Sequence, residues 1–472
     1  MSQYSRLQKV GLKNKLALGI GFFAMFFANQ SIAVLAIPFY QMTLGVDPFL
    51  LGAALTLPVI ISTLLGPWVG HLSDNFSSGF GRRRPFIFVG AWLSCFSFGA
   101  IWMVSPLWSE TVQLVYFIVC SIIFNVCVVL LCVPLTCLSY EMSDEHHERT
   151  EIMGFTSYFI KVGSLLYQWL FPLSQLALFG GLFIGIKYVG WGVALFIIGF
   201  LGSLPAFFCH ERTEHQPFTN EVDHQRKQSI GVFRSLATLK NNKALFILLI
   251  LTFLQLCGGA FTASMDYYLV VYYQHSGDVA EGSIWKGVLS TSYAAFGLLT
   301  IPLIAKLSAT YGKVNALKVI YLLTAVGGIL KWFIFTPDVR WLLLLDAVFC
   351  TAIWTAMTML IPSMLADLCD EDEVLHQQRR EGLFVSIHTW VVNFSMAAAL
   401  LLSGLLLNVI GFNASEHANQ TDDSILLMRL ILSLGTVFFS LLPLHFIRFY
   451  HIDAKHCLQT QKILAAKHVA SN

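Results

Sequence analysis

Residues 66–86 read GPWVGHLSDNFSSGFGRRRPF, a polar, basic, glycine-punctuated stretch between two long apolar runs. One run ends near Val69 and the next begins near Phe86. A bilayer-spanning helix needs about 20 apolar residues, and a connection this short makes two such helices antiparallel neighbours. The stretch carries Gly70, Asp74 and Gly81, then Arg82, Arg83 and Arg84. These residues suit a hinge at the membrane surface. A carboxylate facing guanidinium groups makes charge-assisted bonds that hold one arrangement and break in another. Plain anchoring of a basic loop on one side of the membrane is the alternative.

The whole chain follows the same reading. Its 472 residues are 56% hydrophobic and only 12% charged, with mean hydropathy +0.69. A soluble domain carries roughly a quarter charged residues, so this surface is not mainly water-facing. The length criterion gives twelve runs: 17–39, 49–69, 86–104, 113–134, 153–173, 188–208, 244–273, 287–305, 316–335, 341–362, 383–411 and 425–447. The expected fold is an all-α membrane protein of twelve transmembrane helices, the first of them retained rather than cleaved as a signal peptide. A net charge of +2 gives no electrostatic reason for a nucleic-acid partner. The ten cysteines include no Cys-x-x-Cys pair and lie mostly inside apolar runs, as Cys95, Cys120 and Cys350 do. They read as small packing residues.

Lys and Arg collect on the cytoplasmic side of membrane proteins. Here they precede the first run (Arg6, Lys9, Lys13, Lys15) and follow the even-numbered runs, while 40–48 and 105–112 hold neither. Both termini are therefore expected in the cytoplasm, with the chain in a plasma membrane or bacterial inner membrane. The sequons at Asn413 and Asn419 fall in an outward loop on this reading.

The longest polar stretch lies mid-chain and divides it. The expected units are an N-terminal six-helix half (1–209), a cytoplasmic linker (210–243), a C-terminal six-helix half (244–450) and a tail (451–472). The halves resemble each other. Pro134 and Pro362, Asp144 and Asp372, Glu145 and Glu373, and Gly154 and Gly382 share an offset of 228. Each set suggests a helix ending shortly after its proline, an acidic loop, and a helix opening near a glycine. Internal repeats around a central solute site are a transporter architecture. In the second half Asp367, Asp370 and their acidic neighbours precede Arg379 and Arg380, which suggests the partner hinge; a solvated charge run is the alternative.

Ionisable residues inside spans are costly, and each is a functional candidate. Lys161 sits mid-run between Phe159, Ile160 and Val162. Asp266 and Asp346 lie toward the outer ends of their runs, Asp346 about two turns in, and either could bind a proton or pair with Lys161. His388 could titrate near neutral pH. The amides Asn29, Gln30, Asn125, Gln168, Gln255 and Asn393 can donate to and accept from sugar hydroxyls, or simply join helix to helix. Tyr267, Tyr268, Trp354 and Trp390 could stack on a sugar ring or pack against the core or lipid. Cys257-Gly258-Gly259 suggests a flexible or closely packed point.

Residues 70–91, GHLSDNFSSGFGRRRPFIFVGA, resemble the signature of the sucrose/proton symporters of the major facilitator superfamily. Residues 366–393, ADLCDEDEVLHQQRREGLFVSIHTWVVN, resemble that of the glycoside–pentoside–hexuronide:cation symporters, typified by melibiose permease. The resemblance implies a major-facilitator fold, alternating access and a sugar or glycoside substrate. The departures are specific. Family carboxylates on helix 2 fall at Ser62 and Gly66, and the acidic helix 4 position at Cys132. The helix 11 lysine falls at Asn393, the sugar-contacting helix 5 arginine near Ser157, and the acidic helix 4 residue of sucrose carriers nearest Asn125. A sodium site is therefore not expected, and the proton is the expected coupling ion.

The function expected is secondary active transport of a small solute, a sugar on the resemblance, with a single chain sufficient, no cofactor, no metal, and membrane lipid as its surroundings. A transporter of the same fold for a non-sugar or amphiphilic solute is the alternative. A membrane enzyme needs a polar catalytic cluster, and there is no HExxH, GxSxG or P-loop motif. Glu145-His146-His147-Glu148 reads as a solvated run.

Overall fold

A computed structural model describes residues 10–76, 78–142, 146–209, 242–376, 381–412, 420–450, 452 and 460. No strand occurs among them. This is what a bilayer demands, since a helix satisfies its backbone polar groups within itself. The chain forms two compact units, Met1–His215 and Gln216–Asn472.

The first unit holds α1 (Leu12–Gln41), α2 (Pro48–Asn75), α3 (Arg84–Ile101), α4 (Glu110–Glu141), α5 (His146–Leu166) and α6 (Leu182–Phe208). The second holds α7 (Lys243–Gln274), α8 (Val279–Tyr311), α9 (Lys313–Ile334), α10 (Leu343–His376), α11 (Glu381–Val409) and α12 (Asp422–Phe449). Eleven of these are long and apolar enough to cross a membrane. The remaining expected run, 153–173, is covered by α5, a 3-10 turn at Tyr167–Trp169 and a short helix at Leu170–Ser174.

Local chemistry sets the ends. The Asp47 side chain accepts from Leu50 N at 2.9 Å, with Pro48 as the first helical residue of α2. Asn242 caps α7 through Leu245 N at 2.9 Å, so that helix starts at Lys243, inside the expected linker. Between α2 and α3, Gly81 adopts φ +113°, a conformation glycine alone enters freely. Its amide donates to Ser78 O at 3.0 Å, and the Ser78 hydroxyl donates to Gly81 O at 2.6 Å.

The repeated prolines do not mark helix ends. Pro134 and Pro362 lie inside α4 and α10, which run on to Glu141 and His376. Packed membrane helices tolerate interior proline. Asp367, Asp370, Glu371, Asp372 and Glu373 therefore sit on the final turns of α10, not in a loop, and Asp372 is buried.

Within the first unit α3 crosses α4 closely. A Cβ on Gly90 would lie 2.6 Å from Leu131 N and 2.7 Å from Leu130 C, so backbone meets backbone there. Ala17, Leu18, Phe22, Ile87, Ala91 and Leu131 form the buried core beside this crossing. In the second unit Leu248, Leu251, Ile320, Tyr321, Ile353 and Leu360 do the same. There α7 passes through a wide π-type turn at Leu254–Gly258. A Cβ on Gly258 would fall 2.1 Å from the Phe439 ring, so the Cys257-Gly258-Gly259 segment is a closely packed point. None of the nine described cysteines is in a disulfide.

Candidate functional site

The second unit gathers four charges inside its helices. Lys331, on the last turn of α9, points at Asp346, on the first turn of α10. Its Nζ stands 2.8 Å from each carboxylate oxygen, with the side chains 4% and 0% exposed. The Tyr293 hydroxyl of α8 donates to Asp346 Oδ2 at 2.7 Å. Thr351, one turn on from Asp346, donates to Tyr293 O at 2.9 Å and ties α10 to α8. The second pair joins α7 to α8: Lys286 Nζ lies 2.6 Å from Asp266 Oδ1. Its neighbour Tyr267 is buried, with its hydroxyl 2.9 Å from Ser283 Oγ.

Asp266 and Asp346 were each read as able to bind a proton or to pair with Lys161; each is held by a lysine of its own unit. Asp346 also sits in the first helical turn, not two turns in, because a 3-10 turn at Arg340–Leu342 precedes α10.

Beside the buried pair lies a crevice lined by Gln255, Thr262, Tyr293, Lys331, Trp354 and Ser440, among others. Its volume is about 30 Å³, the share of one water molecule in the liquid. It is a polar notch rather than a sugar-sized chamber, and a solute could lie against it but not within it. The notch offers an ammonium, hydroxyls and an indole. It also offers Gln255 Oε1, a buried acceptor without a hydrogen bond among the described residues. Such an acceptor is costly unless something donates to it. Asp346 does not line the notch; it stands behind Lys331 and Tyr293.

The remaining candidates are dispersed. In the first unit Asn29 is exposed, and its Nδ2 donates to Met25 O at 2.8 Å and approaches Cys132 Sγ at 3.7 Å. The amide thus meets a thiol where the resemblance places a carboxylate. Gln30 is exposed. Asn125 is half-buried and donates to Ser121 O at 2.9 Å, one turn back on its own helix. Ser62 donates to Val59 O at 2.9 Å. Lys161 is half-buried, with no ion pair among the described residues. In the second unit His388 is half-buried with no hydrogen bond to its Nε2 among the described residues, and Asn393 is half-buried and holds a polar or ring contact.

Of the hinge residues, Arg84 donates through Nε to Ala206 O at 2.5 Å and through Nη2 to Phe207 O at 3.2 Å, fastening α3 to the end of α6. Arg82 and Arg83 also have partners. Asp74 closes α2, but its side chain lies outside the described residues, as do Arg379, Arg380 and the sequons. Asp367 accepts from Lys313 Nζ at 2.6 Å, an α9–α10 contact.

Sequence reasoning missed Lys286, Lys331 and Tyr293. Lys331 was visible by the rule that singled out Lys161, since it stands among Ile329, Leu330, Trp332 and Phe333. Lys286 was lost because the apolar run was started one residue later.

The profile of the MFS/sugar transport protein family matches residues 17–454. An uncharacterised symporter of Bacillus subtilis, YnaJ, is 24% identical over 458 residues, covering 95% of this chain and 94% of its own. The Escherichia coli protein YagG, described as a putative glycoside/cation symporter, is 21% identical and covers 88% and 87%. A crystal structure of a D-xylose-proton symporter matches 91% of this chain and 96% of its own, with TM-score 0.59 and 15% identity. These matches and the helical architecture agree: the chain is an integral membrane protein that belongs to the MFS/sugar transport protein family.

Proposed function

We propose that this protein moves a sugar or glycoside across the membrane by alternating access, with the proton as coupling ion. The observation that carries the proposal is the Lys331–Asp346–Tyr293 cluster against the polar notch. Lys331 faces both the notch and Asp346. Solute hydroxyls that accept from its Nζ draw the ammonium off the carboxylate. Asp346 is then left with Tyr293 alone, so the solute and the carboxylate compete for one ammonium. A coupling ion that neutralises Asp346 frees Lys331 for solute, and reciprocity of that kind is what symport requires. Trp354 offers a sugar its stacking face.

The relatives support the solute class through the family description and the glycoside/cation symporter. Support for the proton over sodium comes from Ser62, Gly66 and Cys132, none of which is a carboxylate. We place both termini in the cytoplasm of a plasma or bacterial inner membrane, on the distribution of Lys and Arg. The protein acts as a carrier and not as an enzyme, and one chain suffices. Ser157 at the sugar-arginine position favours a second reading, a non-sugar solute in the same fold.

Uptake of radiolabelled mono- and disaccharides into proteoliposomes, with and without an inward proton gradient, tests the proposal. Accumulation of one sugar only with the gradient supports it. Uptake that merely equilibrates removes the coupling, and no uptake of any sugar transfers the proposal to the second reading.

A further inference from the structure

The outer surface of the second unit carries a groove that neither the ion pairs nor the notch uses. It begins where α9 touches α12. A Cβ on Gly328 would lie 2.9 Å from Val437 N and Cγ2, and Ser433 Oγ donates to Gly328 O at 2.8 Å. Toward the start of α12 a groove of about 300 Å³ lies between them, lined by Ile329, Trp332, Phe333, Leu430, Ser433 and Leu434. This is room for on the order of ten water-sized groups. Phe333 and Leu434 are 66% and 60% exposed, and the one hydroxyl in the lining is already bonded. The groove is apolar and opens to whatever surrounds the helices.

Beside it, adjacent to Leu430, stands Arg429. Its guanidinium carbon lies 4.2 Å from the Trp332 ring centre and 4.7 Å from that of Tyr273. Nη2 donates to Trp332 O at 3.1 Å, and Nε has no hydrogen-bond partner among the described residues. No carboxylate among those residues lies within ion-pair distance of it. The exposed Asp422 and Asp423 open the same helix, two turns and about 10 Å earlier along the axis. Arg429 is thus a cation clamped in one orientation, without a counter-charge among the described residues, at the edge of an apolar groove on a membrane-spanning helix. Such a charge is costly beside hydrocarbon. Tyr and Trp favour the headgroup level of a bilayer, which is where lipid phosphates lie. A guanidinium fork matches phosphate oxygens in a way an ammonium does not.

We infer that this groove is a binding site for an anionic glycerophospholipid, its phosphate on Arg429 and one acyl chain along Ile329, Phe333, Leu430 and Leu434. The site is independent of the solute carried.

Native mass spectrometry of the delipidated full-length protein in detergent tests the inference. Dioleoyl phosphatidylglycerol and dioleoyl phosphatidylcholine are titrated separately and inorganic phosphate is then added in competition, with thermal unfolding checking that each variant is folded. The wild type is expected to bind phosphatidylglycerol saturably and more tightly than phosphatidylcholine. Arg429→Gln is expected to weaken phosphatidylglycerol about tenfold, the worth of a charge-assisted hydrogen bond. Leu434→Trp, which fills the groove and keeps the charge, is expected to weaken both lipids, and it decides the matter if Arg429→Gln does not fold. Equal binding of the two lipids by the wild type, or phosphatidylglycerol binding unaffected by Arg429→Gln, overturns the inference. So does displacement of the lipid by phosphate with Leu434→Trp silent, since that leaves only a headgroup contact.

Discussion

Replacing Asp346 by Asn probes the buried pair and the proposed coupling together. Lys331 and Asp346 are 4% and 0% exposed, and Nζ is 2.8 Å from both oxygens. Removing one partner of such a pair costs about 3–5 kcal/mol, because the other charge stays buried without compensation. Asn keeps the shape, and its oxygen still accepts from Tyr293, which preserves about 1 kcal/mol. The expected loss for Asp346→Asn is therefore about 2–4 kcal/mol. The double variant Asp346→Asn/Lys331→Gln removes both charges and should regain part of that, with an interaction energy of about 1–3 kcal/mol. Unfolding in detergent micelles measures both. For transport, the single variant should still exchange labelled for unlabelled sugar at equal concentrations. It should fail to accumulate sugar on an imposed proton gradient. Gradient-driven accumulation at the wild-type level would remove Asp346 from the coupling. A double variant no more stable than Asp346→Asn alone would show that the buried charge is not what the single substitution exposes.

Three further outcomes follow from packing and environment. Gly90→Ala puts a methyl 2.6–2.7 Å from the backbone of Leu130 and Leu131, and Gly258→Ala puts one 2.1–2.6 Å from the Phe439 ring, its Cγ included. Overpacking costs about 1–3 kcal/mol, and unfolding should place both variants in the upper part of that range. Lys161→Gln breaks no described ion pair, so its stability should stay within about 1 kcal/mol of wild type. A fall in sugar uptake in that variant would then mark Lys161 as a solute contact, and a fall in stability without one would make it structural. Burial pushes the Cys209 thiol up to about 12, with the Arg84 guanidinium pulling the other way. Only the thiolate reacts, so maleimide labelling at pH 8 should be slower at Cys209 in the folded protein than in the denatured chain, and should rise with pH. Labelling at the denatured rate would show that the end of α6 opens.

What the sequence disclosed and what it withheld divide along one physical line. A spanning helix is a local object: some twenty apolar residues suffice to define it, and 86–104 or 316–335 can be read without knowing what they touch. The Gly81 turn is equally local, for a single residue type meets the demand for positive φ. The ion pairs are not local. Lys331 and Asp346 belong to different helices, and nothing in either run says that one faces the other; the same holds for Asp266 and Lys286. Sequence singled out the two aspartates because charge inside a span is costly, but it did not find Lys331 and Lys286 beside them, because cost alone does not name a partner. Pro134 and Pro362 misled for a related reason. Proline ends helices in water, but inside a packed bundle neighbouring helices tolerate the lost hydrogen bond, so α4 and α10 run through it. The family comparison has the same limit. The resemblance implies carboxylates on the helices of the first unit at positions where this chain has Ser62, Gly66 and Cys132. It does not say where a transporter without them would place its coupling. In the second unit a carboxylate stands fully buried behind a lysine that lines the notch. Replacing a buried ion pair by apolar residues is often neutral or stabilising, so stability alone does not call for this pair, and the Asp346→Asn transport measurement decides whether it serves the coupling proposed above.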